Sequence, residues 1–338
     1  MLSNRVPYIR GRAEELSFNL VRQLQEAGHQ AEEMRIPFSW SPTERLIEEM
    51  VIARSLRLTN VDRVIALKFP AYLIPHDNQV IWLLHQFRQA YDLFDAGQSH
   101  IERSPRGEAI RAAIRAADED AFRSARALYA TPGAAKRLDR YHDLHAHVLF
   151  APLNDPELFS GGDDGGFILA AGRVGHAERQ GLLIEALAHA PGVRLRVAGP
   201  PDDAAMPGAL QALAERCGVA DRVIFDLRFL PREELAALVN ECTASAYIPF
   251  DEDSVGYAME AFQAGKPVIT STDSGGVLDI VQDGETGLVT APRPETLGQA
   301  MARMIADRSR AACLGAAGRS LLAAHNITWP KALERLLG

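Results

Sequence analysis

Apolar and polar positions follow two rhythms along this chain. In "RAEELSFNLVRQLQEAGHQ", Leu16, Leu20, Val21 and Leu24 recur on one helical face and Gly28 supplies a stop, so the spacing predicts an amphipathic helix. Short apolar runs predict strands at 64–68, 79–85, 126–130 and 146–150. Helices are expected near 43–58, 107–125 and 133–141. The stretch 151–166, "APLNDPELFSGGDDGG", is rich in Pro, Gly, Asp and Ser and reads as a linker. The rhythm then restarts, with strands in "FILAAGRV", "VRLRVAG", "RVIFDL", "ASAYIPF" and "PVIT" separated by "RQGLLIEALAHA", a helix around 206–217 and "REELAALVNEC". A final amphipathic helix in "ITWPKALERLLG" offers Trp329, Ala332, Leu333, Leu336 and Leu337 as its apolar contacts.

This alternation predicts an α/β chain of two parallel-sheet domains. The expected division is 1–150 for the first domain, 151–166 for the linker, 167–325 for the second domain and 326–338 for the C-terminal helix. A doubly wound domain usually opens with a buried strand that leads into a glycine turn. Only "LSNRVPYIRG" precedes the first helix, and it is short and polar. The first N-terminal strand is therefore expected to be missing: either the domain lacks it or the true start lies upstream.

Composition narrows the function classes. With 338 residues, 47% of them hydrophobic, the chain can bury two ordinary cores. A net charge of -8 without a basic stripe argues against a nucleic-acid binder. Three scattered cysteines (Cys217, Cys242 and Cys313) make neither a disulfide framework nor a metal spacing, which fits a reducing cytoplasm. No apolar run approaches the roughly 20 residues of a membrane span, and "MLSNRVPYIRGR" lacks a signal-peptide core. A soluble protein is expected, or at most one in peripheral contact with the inner face of a membrane. The histidines of "HDLHAH" (His142, His145 and His147) have only Asp143 nearby and read as surface or turn residues, not metal ligands.

The densest candidate chemistry lies in "PFDEDSVGYAMEAFQAGKPVITSTDSGG", residues 249–276. A strand ends in an acidic turn and a helix begins near Val255 or Gly256. The unpaired N–H groups of a helix start, with about half a positive charge, suit a diphosphate, and Gly256 permits close approach. Glu252 before the helix and Glu260 one turn into it fit a ligand with hydroxyls on both sides, a nucleoside diphosphate sugar.

The string "EDSVGYAME", followed by "AFQAGKPVIT", "TDSGG" and "DGETGLV", resembles the retaining glycosyltransferases of family 4. "GRAEELSFNLVRQLQEAGH" is similar to that family's N-terminal glycine loop and helix, and "GRVGHAERQGLLIEAL" to its phosphate-binding segment. The resemblance implies the GT-B architecture, two Rossmann-like domains with the donor site in the cleft between them. It implies transfer with retention and without a metal ion or resident cofactor, the nucleotide sugar being a co-substrate and a glycan or lipid-linked molecule the acceptor. Carried over by position, Glu252 holds donor-sugar hydroxyls and Glu260 the ribose, while Ser254, Val255 and Gly256 offer N–H groups to the diphosphate. Arg173 neutralises the leaving group, His85 stands near sugar and acceptor, and Gly11 belongs to the glycine loop.

Three departures matter. Glu178 stands where the family has its second phosphate-binding cation, and opposes a diphosphate by about 4 kcal/mol for unit charges 4 Å apart at an effective dielectric near 20. Arg179 either compensates or is a solvated helix residue. Arg12 replaces a usual glycine, and the four-residue step from Gly256 to Glu260, where five is commoner, leaves Asp253 open as the functional acid in place of Glu252. The competing readings are a degenerate binding or partner subunit, favoured by Glu178, Arg12 and the missing first strand, and a sugar-nucleotide epimerase, which the motif string fits less well. Neither the sugar, the base, the acceptor nor the oligomeric state is legible.

Overall fold

The computed structural model describes residues 1–5 and 12–338. The chain forms two compact units, one of residues 1–152 and 328–338, the other of residues 153–327. In the N-terminal unit the elements are β1 (Leu2–Arg5), α1 (Arg12–Glu26), β2 (Met34–Pro37), α2 (Leu46–Ser55), β3 (Val64–Lys68) and β4 (Gln79–His85). They continue with α3 (Asp92–Asp95), α4 (Pro105–Ser124), β5 (Ala127–Ala130), α5 (Pro132–His142) and β6 (His147–Val148). All strand pairs are parallel, in the order β2-β1-β3-β4-β5-β6.

The expected absence of a first strand is corrected. β1 pairs with β2 over four residues and with β3 at Leu2. Side-chain hydropathy understated it because Ser3 and Asn4 are buried despite being polar. Backbone ladders on both flanks satisfy the main chain, and Asn4 Nδ2 donates to Phe69 O at 3.0 Å.

The C-terminal unit runs β7 (Ile168–Ala171), α6 (Gln180–Ala186), β8 (Leu195–Ala198), α7 (Met206–Arg216), β9 (Val223–Asp226) and α8 (Arg232–Glu241). It then runs β10 (Ala244–Ala246), α9 (Gly256–Gln263), β11 (Val268–Ser271), β12 (Gly287–Thr290), α10 (Pro294–Ala306) and α11 (Arg308–His325). Its parallel sheet has the order β12-β11-β10-β7-β8-β9. Numbered within the unit this is the 3-2-1-4-5-6 order of dinucleotide-binding folds, whose direction of winding reverses between β7 and β10. In such sheets ligands bind at the carboxyl ends of the strands that flank the reversal.

Residues 153–166 are packed against the C-terminal unit. Phe159 is fully buried, and Asn240 accepts from Gly161 N and donates to Leu158 O. The last helix, α12 (Trp329–Leu337), completes the N-terminal unit: Trp329, Ala332, Leu333 and Leu336 are buried with Leu16, Leu20 and Leu24 of α1. Arg63 and Tyr129 donate to the carbonyls of Leu336 and Arg335 at its end. Among the described residues no helix is long and apolar enough to cross a membrane.

Candidate functional site

Three loops meet at the carboxyl ends of β7, β10 and β11. The loop after β7 begins with Gly172 at φ 120°, where a Cβ would lie 2.2 Å from the Tyr257 ring. That clearance lets the β7 loop and the start of α9 approach each other. The loop after β10 carries the acidic turn, and Phe250 N donates to Ala177 O of the first loop at 2.8 Å. The loop after β11 presents Gly275 at φ 65°, where a Cβ would lie 2.6 Å from Glu252 O and 2.7 Å from Glu252 N. Gly276 N donates to Glu252 O at 2.6 Å, and Asp251 N to Asp273 O at 2.8 Å. The glycine pair of "TDSGG" is thus the bed on which the acidic turn lies.

Within that turn Glu252 Oε1 accepts from the N–H groups of Asp253 and Ser254 at 2.9 and 3.0 Å. Asp253 and Val255 are buried; Ser254 and Gly256 are half-buried. α9 starts at Gly256 with no side-chain cap, so its first-turn N–H groups keep the anion-binding character of an open helix start. Glu260 lies on the first turns of this helix, 2% exposed, and accepts from Arg232 Nη1 at 2.7 Å. Arg232 in turn donates to Asn154 O and covers the Phe159 ring at 4.6 Å.

Arg173 follows β7 directly. Its Nε and Nη2 donate to Glu178 Oε1 at 2.9 and 2.8 Å, and Nε lies 3.1 Å from Asp202 Oδ1. Burial pulls the guanidinium pKa down, and the charges of Glu178, Asp202 and Glu252 outweigh that pull, holding it above its ordinary value. Glu178 therefore reaches the sequence-neighbouring arginine and is not an isolated acid.

Both readings of Arg179 are corrected. It precedes α6 in the left-handed conformation, φ 58°, and its side chain is only 17% exposed. Nε donates to Ile248 O at 2.7 Å, Nη2 to Pro249 O and Ser271 Oγ, and both Nη groups to the Asp273 carboxylate at 2.8 Å. The guanidinium is committed to the protein and ties the three loops together, as a solvated residue or a spare phosphate cation would not. Its hydrogen bond in turn holds the Asp273 carboxyl below the usual carboxylate range.

His85 is exposed at the end of β4 in the N-terminal unit, its Nδ1 2.9 Å from Gln86 O. Gly11 lies outside the described residues. His142, expected at the surface, is corrected to a core residue: it is buried and its Nε2 lies 2.9 Å from Tyr91 Oη, whereas His145 and His147 are exposed. The structure thus brings Arg173, Glu178, Arg179, Glu252, Asp253, Ser254, Val255, Gly256 and Glu260 into one unit. Asp202, Arg232 and Asp273 were missed. Asp202, in "GPPDD", and Asp273 each closely follow a strand, and that position was their only signal.

Residues 160–321 match the family model described as Glycosyl transferases group 1. The D-inositol 3-phosphate glycosyltransferase of Stackebrandtia nassauensis is 31% identical over 210 residues, covering 55% of this chain and 46% of that protein. A GDP-mannose-dependent alpha-(1-6)-phosphatidylinositol monomannoside mannosyltransferase of Mycobacterium tuberculosis is 33% identical over 172 residues, 47% of this chain and 43% of that protein. The matched part spans less than half the length of these curated relatives. In fold, the chain is similar to Anabaena HepE, solved with UDP and glucose, at a TM-score of 0.71 and 17% identity over 99% of this chain and 98% of that one. WaaG, a glycosyltransferase involved in lipopolysaccharide biosynthesis, gives 0.72 at 17% identity over 100% and 99%. The scaffold is the GT-B fold, and residues 160–321 carry the match to the glycosyl transferases group 1 family model.

Proposed function

We propose that this protein transfers a sugar from a nucleoside diphosphate sugar to a glycan, lipid-linked or small-molecule acceptor, with retention of anomeric configuration and without a metal ion. One observation carries this reading: an uncapped helix start, Arg173 and the two carboxylates Glu252 and Glu260 converge at the point where the sheet reverses its winding. The relatives support the donor class, since one uses GDP-mannose and a structural neighbour was solved with UDP and glucose.

In the reaction the bond from the anomeric carbon to the diphosphate oxygen breaks and its electron pair leaves with the diphosphate. The acceptor oxygen bonds to the anomeric carbon on the same face, and its proton passes to an oxygen of the departing diphosphate. The main electrostatic demand is positive charge at the departing group. Arg173 and the N–H groups of Val255 and Gly256 meet it, with the Ser254 N–H, which donates to Glu252 Oε1, free to join them only if that bond opens. Glu252 holds sugar hydroxyls, with Asp253 the alternative acid, and Glu260, kept in place by Arg232, accepts from the ribose. Arg179 acts through the loops that it ties.

The test is incubation with a panel of UDP and GDP sugars, with and without a chelator. Release of nucleoside diphosphate from one donor and an axial or equatorial product matching that donor support the proposal. Loss of activity on chelation, restored by magnesium or manganese, overturns metal independence. Nucleotide binding without release from any donor makes the chain a binding subunit.

A further inference from the structure

The acid at position 178 is the sharpest departure of this site, and its geometry does not look like a simple repulsion. Glu178 takes the Nε and Nη2 edge of Arg173 with a single oxygen, at 2.9 and 2.8 Å. Its side chain is 12% exposed, whereas that of Arg173 remains 58% exposed. Asp202 approaches the same edge, 3.1 Å from Nε. Nη1 makes no hydrogen bond to the protein among the described residues.

The support beneath this pair is equally fixed. Gln180, 4% exposed, donates to Arg173 O at 2.9 Å and accepts from Gly175 N at 3.1 Å. Asp202 N donates to Val174 O at 2.9 Å, which joins the loop after β8 to the loop after β7. A Cβ on Gly175 would lie 2.0 Å from Asp202 Oδ2 and 2.8 Å from Glu178 Oε2, so both carboxylates close over that glycine.

We infer that Glu178 and Asp202 are positioning residues that clamp one edge of Arg173 and leave Nη1 for the departing diphosphate. This rests on the donor-site reading above and deepens it. Where a pair of cations would attract the diphosphate by charge alone, a single arginine held in place has its rotamers ordered before the ligand arrives, so binding and leaving-group stabilisation do not bear that ordering cost. Glu178 is mostly buried and its charge is matched by Arg173, so most of its field is spent inside the pair.

The two accounts of Glu178 differ in sign, and the experiment reads that sign. Parent, Arg173→Lys, Glu178→Ala, Glu178→Gln and Asp202→Asn proteins are compared. In nitrogen-15 spectra without nucleotide, the Arg173 Nε–H signal, assigned by its loss in Arg173→Lys, is expected to be sharp and slow to exchange in the parent. It is expected to be lost in Glu178→Ala and partly retained in Glu178→Gln, which keeps an acceptor oxygen. With UDP and GDP in calorimetry and a UDP- or GDP-sugar in turnover, Glu178→Ala is expected to lower kcat about tenfold or more, with Glu178→Gln and Asp202→Asn intermediate. An unchanged Nε–H signal in Glu178→Ala overturns the clamp. So does a rise in nucleotide affinity or kcat in either Glu178 variant, which would make the acid an opponent of the phosphate. If Arg173→Lys binds and turns over like the parent, the donor-site reading itself falls; a normal Arg173→Lys loss beside an improved Glu178→Ala overturns the clamp alone.

Discussion

The two units share their layers and almost their strand order, yet they put their densest polar clusters in different places. In the C-terminal unit the charges stand at the carboxyl ends of β7, β10 and β11, and Arg173 keeps 58% of its side chain exposed. In the N-terminal unit the cluster is inside. Asp118 of α4 is fully buried and accepts from Tyr72 and Tyr91 at 2.9 and 2.7 Å. Tyr91 Oη also lies 2.9 Å from His142 Nε2 on α5. Burial pushes the Asp118 carboxyl up to about 7 although both tyrosine hydroxyls pull it down, and burial likewise lowers His142. A polar network at strand ends can exchange its partners for a ligand, whereas one inside the core fixes the packing of its helices and bears the desolvation cost. Substitutions should therefore sort by unit, those in the C-terminal unit altering donor use and those in the N-terminal unit altering stability. Trp40, Trp82 and Trp329 all lie in the N-terminal unit, so tryptophan fluorescence reports that unit by itself.

The largest effect that sharpens this contrast is expected at Glu252. Glu252→Ala should lower turnover about a thousandfold, roughly 4 kcal/mol, while nucleoside diphosphate binding in calorimetry and the fluorescence-detected unfolding of the N-terminal unit stay at parent values. Full activity in this variant would move the role to Asp253.

Next comes Leu336→Ala on α12, a fully buried residue that should cost about 3 kcal/mol in denaturant unfolding followed by tryptophan fluorescence. Nucleotide affinity should not change. A variant that loses nucleotide binding in step with stability would break the division between the units.

The next change is expected in the pH dependence of the N-terminal unit. Asp118 has a folded pKa of about 7 against an ordinary 3.8, so the folded state keeps a proton that the unfolded chain releases in between. Its stabilisation is full below the lower value and is lost as pH rises through the upper one. His142 acts oppositely, since a lowered folded pKa makes its contribution fade as pH falls below the ordinary 6.5. Asp118→Asn should remove the decline between pH 3.8 and about 7 and leave the His142 slope. Unfolding profiles that coincide for parent and Asp118→Asn would count against a protonated buried carboxyl.

The smallest is Glu260→Gln, which keeps the oxygen facing Arg232 but weakens acceptance from ribose hydroxyls. UDP or GDP should bind about tenfold more weakly, some 1.4 kcal/mol, with turnover at saturating donor little altered. Parent-like nucleotide affinity would remove Glu260 from the ribose.

The helices and strands with clean periodicity were legible, and so was the acidic turn before α9. Other elements were not, for reasons visible in the fold. β2, "MRIP", is an edge strand with three exposed residues, so it carries no apolar run. α11 escaped because Gly315 and Gly318 interrupt its pattern; a Cβ on Gly315 would lie 2.0 Å from Gly265 O, so the glycine serves close packing and not a turn. β1 escaped because its polar Ser3 and Asn4 are buried between two neighbouring strands. At the site, spacing pointed to Glu252 and Glu260, but Asp202 and Asp273, which meet Arg173 and Arg179, went unnoticed.

Alone, the sequence determined the alternation of α and β elements, the helix start flanked by Glu252 and Glu260, and the apolar face of α12, because periodicity and spacing are local properties of a chain. Tertiary structure decided which charge meets which. Arg179 and Asp273 are 94 residues apart and meet because β7, β10 and β11 are neighbours in the sheet. It also decided that Glu178 closes onto Arg173 beside Asp202, and that α12 returns to cover α1 across more than three hundred residues. Pairings of this kind depend on strand order and on backbone clearances such as those at Gly172, Gly175 and Gly275, where the absence of a Cβ lets loops approach that no local pattern relates.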